Sequence, residues 1–182
     1  LKWSWIPDKT NFSYFEIPAE DKDIKQEFEG TKTREDYYYP CSKIIQEMLK
    51  QRYNNRHQLA QDLGGTASLK YVFPNKLGNN AISQLRWRLE GICKDAGIKT
   101  LTPHDFRRTF VDICSTSKDD KSLFPDRIIK RAVHHKDSDI TFGLYGMRDD
   151  DKLQLHQIFQ HVEDYCGKSL GAGTIIDIFG KA

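Results

Sequence analysis

A mostly helical α+β domain with a small antiparallel sheet near its N-terminus is the fold this sequence predicts. Three observations carry the prediction. Aromatic and β-branched residues gather in short runs within the first forty positions. From Ser42 onward, apolar residues recur three and four apart, the spacing of one face of a helix. Between those stretches, Pro, Gly and Asn stand where helices start and stop.

Taken in order, Leu1–Ile6 and Phe12–Ile17 read as strands joined by a turn around Pro7-Asp8-Lys9, and Asp36–Tyr39 reads as a third strand closed by Pro40. The polar, acidic stretch before that third strand suits a long hairpin loop. A helix follows from Ser42, with Ile44, Ile45, Met48 and Leu49 on its apolar face. Tyr53–Gly65 holds a short helical piece, Tyr71–Pro74 an extended one, and 75–80 a loop. The next helix is capped by Asn79 or Asn80, carries Ile82, Leu85, Leu89, Ile92 and Ala96 at helical spacing, and stops at Gly97. Thr102 then caps a helix with Pro103 at its first position, Asp105 placed for a capping box, and Phe106, Phe110 and Ile113 on one face. Ser115–Ser122 is a polar loop. Pro125-Asp126 opens a helix with Ile128, Ile129, Ala132 and Val133 inward, and Asp149–Tyr165 is the last long helix. Gly167–Gly173 links it to an apolar tail, Thr174–Phe179, which could fold back on its own domain or dock on another protomer.

Composition narrows the function. With 182 residues, 38% hydrophobic and 30% charged, the chain can bury a real core. No apolar run is long enough to cross a bilayer, and the start lacks the pattern of a secretion signal. Cys41, Cys93, Cys114 and Cys166 are widely spaced and read as reduced, mostly buried thiols, so the expected location is cytoplasmic. Net charge is only +2, but it is unevenly spread: −3 over residues 1–40, +6 over 41–100 and −1 over 101–182. The basic middle third could track a phosphate backbone or be a solvated face. Arg86, Arg88 and Lys94 on the polar side of its second helix are candidate DNA contacts, with the same plain alternative.

Function concentrates between Thr102 and Gly146. His104 and Arg107 lie three apart on the first turn of the Thr102-capped helix, so an imidazole and a guanidinium share its positive end. That is a phosphate site. Further on come His134-His135-Lys136 and, ten residues after His135, Tyr145-Gly146. Taken singly, these residues have ordinary readings: a helix-start histidine, a surface arginine, a core tyrosine. Their order and spacing together, with the flanking Leu101–Phe110 and Ile140–Gly146, resemble the catalytic domain of the tyrosine recombinases, the phage integrase family. Members carry His-x-x-Arg at a helix start, a later His or Trp, and then a Tyr nucleophile. Here those positions are His104, Arg107, His135 and Tyr145. Members often have Gly just before the second histidine. This chain has His134 there, so His134 and His135 both stand as candidates, with the spacing to Tyr145 favouring His135.

The resemblance implies a mechanism that the side chains can support. A phosphodiester under attack gathers negative charge, which preorganised cationic donors stabilise. Arg107 can hold two non-bridging oxygens with its planar fork, and His135 can donate another hydrogen bond. His104 can donate to the phosphate or help take the Tyr145 proton, and its place near a helix N-terminus favours the neutral form. Tyr145, with an ordinary pKa of about 10, needs that cationic surround to attack near neutrality. A lysine on a turn of the small sheet would protonate the departing 5′ oxygen; Lys32 is the best match, with Lys22 and Lys25 behind it. The product would be a 3′-phosphotyrosyl link, formed with neither metal nor ATP. His134, His156 and His161 lack Cys or carboxylate companions at ligand spacing and read as surface histidines. Arg108 reads as solvated, and Trp3, Trp5 and Trp87 as core.

The expected function is site-specific DNA recombination, integrating or excising a mobile element, by a protein that is monomeric in solution and oligomeric, as a tetramer, on double-stranded DNA. A type I topoisomerase with the same phosphotyrosine and an inactive DNA-binding remnant are the alternatives. The family's first catalytic arginine precedes a Leu-x-Trp strand start, which Leu1-Lys2-Trp3 matches, so residues 1–182 read as a catalytic-domain fragment. Its expected parts are a small sheet (1–40), a helical body with the active site (41–166) and a tail (167–182). That fragment alone is expected to bind DNA weakly and to form little covalent complex.

Overall fold

The computed structural model describes residues 1–19, 36–63, 69–83, 85–115, 123–134 and 148–170. It divides into two compact units, Leu1–Ser83 and Gln84–Ala182.

The first unit holds the sheet, in which strands β1 (Tyr14–Ile17) and β2 (Tyr37–Pro40) pair antiparallel. Phe15 lies opposite Tyr39 and their rings stack at 4.9 Å, the cross-strand aromatic contact that fixes register in a short sheet. The two strands are thus the arms of one hairpin, tied together beyond the last pair where the Ala19 N–H donates to Asp36 Oδ1 at 2.7 Å. Leu1–Ile6 is not a strand. Lys2 makes a single bridge to Tyr71, and Trp3–Trp5 turns into a short 3-10 helix. Local strand propensity yields there to burial, because the turn drives Trp3 and Ile6 into the core beside Phe12, Cys41, Leu49 and Val72. Trp3 and Phe12 both meet the Tyr53 ring edge-on or tilted. Phe12 reaches that place at φ 55, after a turn in which Asp8 Oδ1 accepts the N–H groups of Thr10 and Asn11.

Helix α1 (Lys43–Asn54) starts after Ser42 as expected and buries Leu49, and α2 (Arg56–Asp62) is the short helical piece. Tyr71 and Pro74 make isolated bridges, to Lys2 and Ala81, with a bend at Val72 and Phe73 between them rather than one extended segment. Residues 75–80 turn as the sequence predicts, but no helix starts after Asn79 or Asn80. Asn75 and Ile82 donate to Asn80 and Phe73 carbonyls, so Asn79 and Asn80 belong to a turn and Ile82 to a bridged segment rather than a helix.

In the second unit, α3 (Leu85–Asp95) therefore begins late. It ends as the sequence predicts: Gly97 sits at φ 66, its N–H donates to Lys94 O, and Ile98 N–H donates to Cys93 O. Those are the two bonds of a Schellman cap, which glycine accommodates without a Cβ clash. Its apolar spacing is helical, yet Leu85 and Ile92 are exposed, and Trp87, expected in the core, is 72% exposed. Periodicity marks a face without saying what covers it. Helix α4 (Pro103–Ser115) buries Ile113 and Cys114 and sets Phe110 against Phe159 at 5.3 Å, whereas Phe106 is half-exposed. Helix α5 (Asp126–Ala132) buries Ile128, Ile129 and Ala132, with Val133 just beyond, as the sequence predicts. The last helix, α6 (Asp149–Leu170), packs on α4 and α5 and buries Leu155 and Ile158. It runs through Gly167, since one interior glycine costs only about 1 kcal/mol, too little to stop a long helix.

Cys41, Cys93 and Cys114 are free and buried, and burial pushes the Cys41 and Cys114 thiols up to about 12 and about 11. Among the described residues, no helix is long and apolar enough to cross a membrane.

Candidate active site

The α4 N-terminus is built as its sequence dictates. Asp105 Oδ2 accepts from both the Thr102 N–H and the Thr102 hydroxyl at 2.7 Å, the return half of a capping box. The Thr102 hydroxyl first, then its N–H, hold the Asp105 carboxyl below the usual carboxylate range. This fixes the first turn rigidly, and that turn carries His104 and Arg107, one helical turn apart and both exposed. Among the described residues Arg107 makes no ion pair.

The end of α5 meets the same group. Val133 ends the helix, and His134 follows at φ 49, its N–H donating to Arg131 O. That is the left-handed position after a helix that glycine usually fills, which accounts physically for the glycine expected there. The His134 imidazole is half-buried. Burial first, and then the Arg107 charge, push its pKa down to about 4. A neutral imidazole thus lies within electrostatic reach of the Arg107 guanidinium.

The sign of that shift gives a prediction. A histidine whose folded pKa lies below its unfolded value of about 6.5 binds more protons unfolded, so its contribution to stability is lost as pH falls from about 6.5 toward 4. His156, lowered by burial, acts in the same direction. His134→Asn, which tolerates the left-handed backbone and cannot titrate there, should lose distinctly less stability than the parent between pH 7 and pH 4.5 in urea titrations. Parallel losses in the two proteins would count against the burial of His134.

Lys32, Lys22, Lys25, His135 and Tyr145 lie outside the described residues. Arg86 and Arg88 are exposed on α3; the Arg86 Nε–H donates to Glu90 at 3.1 Å, a surface pair of small worth. His156 and His161 are half-buried rather than surface residues, with the His161 ring against Phe124 at 5.5 Å. Among the described residues, no group of His, Cys, Asp and Glu is placed to hold a metal.

Sequence reasoning missed one constellation. Asp151 is 1% exposed, yet its Oδ1 and Oδ2 accept from Arg127 and Arg131 Nη1, each at 2.6 Å, and Arg148 Nη2 lies 3.8 Å away. Burial raises the Asp151 carboxyl, but the Arg127 hydrogen bond and the charges of Arg127, Arg131 and Arg148 outweigh it and hold it below its ordinary value. Arg127 and Arg131, one turn apart, hinted at a shared partner. Nothing local pointed to a carboxylate twenty residues on.

Comparison with known proteins adds independent support. The family profile described as Phage integrase family matches residues 10–152, and neither curated proteins nor solved structures give a match. The match runs from the small sheet through His104, Arg107 and the end of α5 to the start of α6. The chain therefore belongs to the phage integrase family and carries a tyrosine recombinase domain, whose general business is to bind DNA and recombine it.

Proposed function

We propose that this domain performs site-specific recombination for the integration or excision of a mobile element, cutting and rejoining DNA through a 3′-phosphotyrosyl intermediate. The observation that carries the reading is the exposed His104–Arg107 turn on a firmly capped helix, with Arg107 unpaired among the described residues and the α5 end brought to it.

In this reading Arg107 grips two non-bridging oxygens of the scissile phosphate, and His104 donates to it or takes the Tyr145 proton. His135 adds a donor as charge builds. Tyr145 attacks phosphorus and the 5′ oxygen leaves, taking a proton from Lys32. The bond energy is kept in the phosphotyrosyl ester, so a second 5′-hydroxyl reverses the step. Arg86 and Arg88 contribute backbone contacts that set affinity rather than sequence choice. Exchange between two duplexes calls for several protomers on DNA, a tetramer of chains that are monomers in solution.

A nicked suicide substrate tests the reading. The full-length protein should trap covalently on it, and residues 1–182 alone should trap little. Lys32→Ala in the full-length protein should lose most trapping on the normal substrate. The same variant should keep trapping on one whose 5′ bridging oxygen is sulfur, which needs no proton to leave. Absence of any trapping by the full-length protein would refute the catalytic reading. Equal loss on both substrates would move the acid role to Lys22, Lys25 or elsewhere.

A further inference from the structure

Asp151 offers both carboxylate oxygens to one helix and its backbone to another. Arg127 and Arg131, successive turns of α5, each reach one oxygen at 2.6 Å, while the Asp151 N–H donates to Arg148 O in the opening turn of α6. The α6 N-terminus also favours a carboxylate there. Hydrophobic contact alone would hold these helices together, since Ile128, Ile129 and Ala132 on α5 and Leu155 and Ile158 on α6 are buried. Apolar packing, however, tolerates small slides and rotations, whereas two charge-assisted bonds to one buried carboxylate allow a single register.

That register matters because of what hangs from it. Arg131 precedes His134 by three residues and His135 by four; Asp151 follows Tyr145 by six. Whatever path residues 135–147 take, covalent connectivity makes them begin at the clamped end of α5 and end at the clamped start of α6. The same clamp holds the α5 end from which His134 follows.

We propose that Asp151, through Arg127 and Arg131, is a positioning residue: it fixes the two anchor points between which His135 and the Tyr145 nucleophile are carried. This rests on the proposed roles of those two residues. Positioning is worth much in such a reaction, because misplacement by about 1 Å commonly costs on the order of a hundredfold in rate.

The test is single-turnover cleavage of the nicked suicide substrate at saturating DNA, comparing the full-length parent with its Asp151→Asn variant. Two readouts are kept apart: the fraction of molecules that react, and the rate at which they do so. The expected result is DNA affinity within about twofold of the parent, a near-normal reacting fraction, and a rate roughly a hundredfold lower. A lower reacting fraction with an unchanged rate would mean that Asp151 only stabilises the fold, and would overturn the proposal. Should Asp151→Asn fail to fold, Arg131→Lys keeps the charge but loses the planar fork, and should slow cleavage about tenfold; an unchanged rate there overturns it equally. Tyr145→Phe run alongside separates the failures. An adduct that persists with phenylalanine sinks the assignment of the nucleophile, while a normal rate in the Asp151 variant sinks only its positioning role.

Discussion

Tyr145→Phe in the full-length protein is expected to abolish the covalent protein–DNA adduct while leaving duplex binding largely intact. The substitution removes one oxygen and keeps the ring, so packing is barely disturbed, and phosphate contacts from other residues continue to set affinity. No second nucleophile takes over, because a phenol with an ordinary pKa of about 10 attacks near neutrality only where cationic donors surround it. Gel-shift titration beside covalent trapping gives the two quantities separately. Loss of binding in step with loss of adduct would point to misfolding rather than to a missing nucleophile.

Arg107→Ala is expected to slow cleavage by a factor of about 10² to 10³, corresponding to roughly 3–4 kcal/mol of transition-state stabilisation. The α4 fold should survive, since Arg107 is exposed and makes no ion pair among the described residues, and since the Thr102–Asp105 cap does not depend on it. Arg107→Lys should recover little of the loss, because an ammonium cannot span two non-bridging oxygens as a guanidinium fork does. The expected signature is a fall in the single-turnover rate at saturating DNA with a much smaller change in affinity. A change confined to affinity would make Arg107 a binding contact and nothing more. A second consequence concerns His134: without the neighbouring guanidinium one of the two causes of its lowered pKa disappears, so its pKa should rise, though burial keeps it below 6.5.

How much could be read from the sequence depends on the range of the forces involved. The Thr102 cap, the Gly97 terminus and the inward face of α5 are set by neighbours within a few residues, and each formed as the sequence predicts. The sheet pairing of Phe15 with Tyr39 needed contact across a hairpin, yet aromatic runs on both sides announced it. Leu1–Ile6 misled because strand propensity is easily overruled by burial, and Trp3 and Ile6 are better buried by a 3-10 turn. Trp87 misled for a related reason: hydrophobicity predicts a preference for the interior, not a guarantee of it. The Asp151 clamp was not legible at all, because the arginines and the carboxylate are brought together only by the packing of α5 on α6. The candidate site shows the same division. The His104–Arg107 pair is a local feature of one helix and was plain in the sequence, whereas the approach of His134 to Arg107 belongs to the tertiary structure. The left-handed backbone at His134 now explains the one departure from the family pattern: the position calls for glycine-like freedom, and histidine is among the few other residues found there.

Every role proposed for the site depends on Tyr145 becoming covalently joined to DNA. The most direct measurement is to trap the full-length protein on a nicked suicide substrate, digest the adduct with protease and nuclease, and identify the nucleotide-bearing peptide by mass spectrometry. The expected outcome is a single modified peptide, with a 3′-phosphonucleotide on the Tyr145 hydroxyl. A nucleotide on Tyr165 of α6, on Tyr71 of the first unit, or on any residue other than Tyr145 would contradict the assignment.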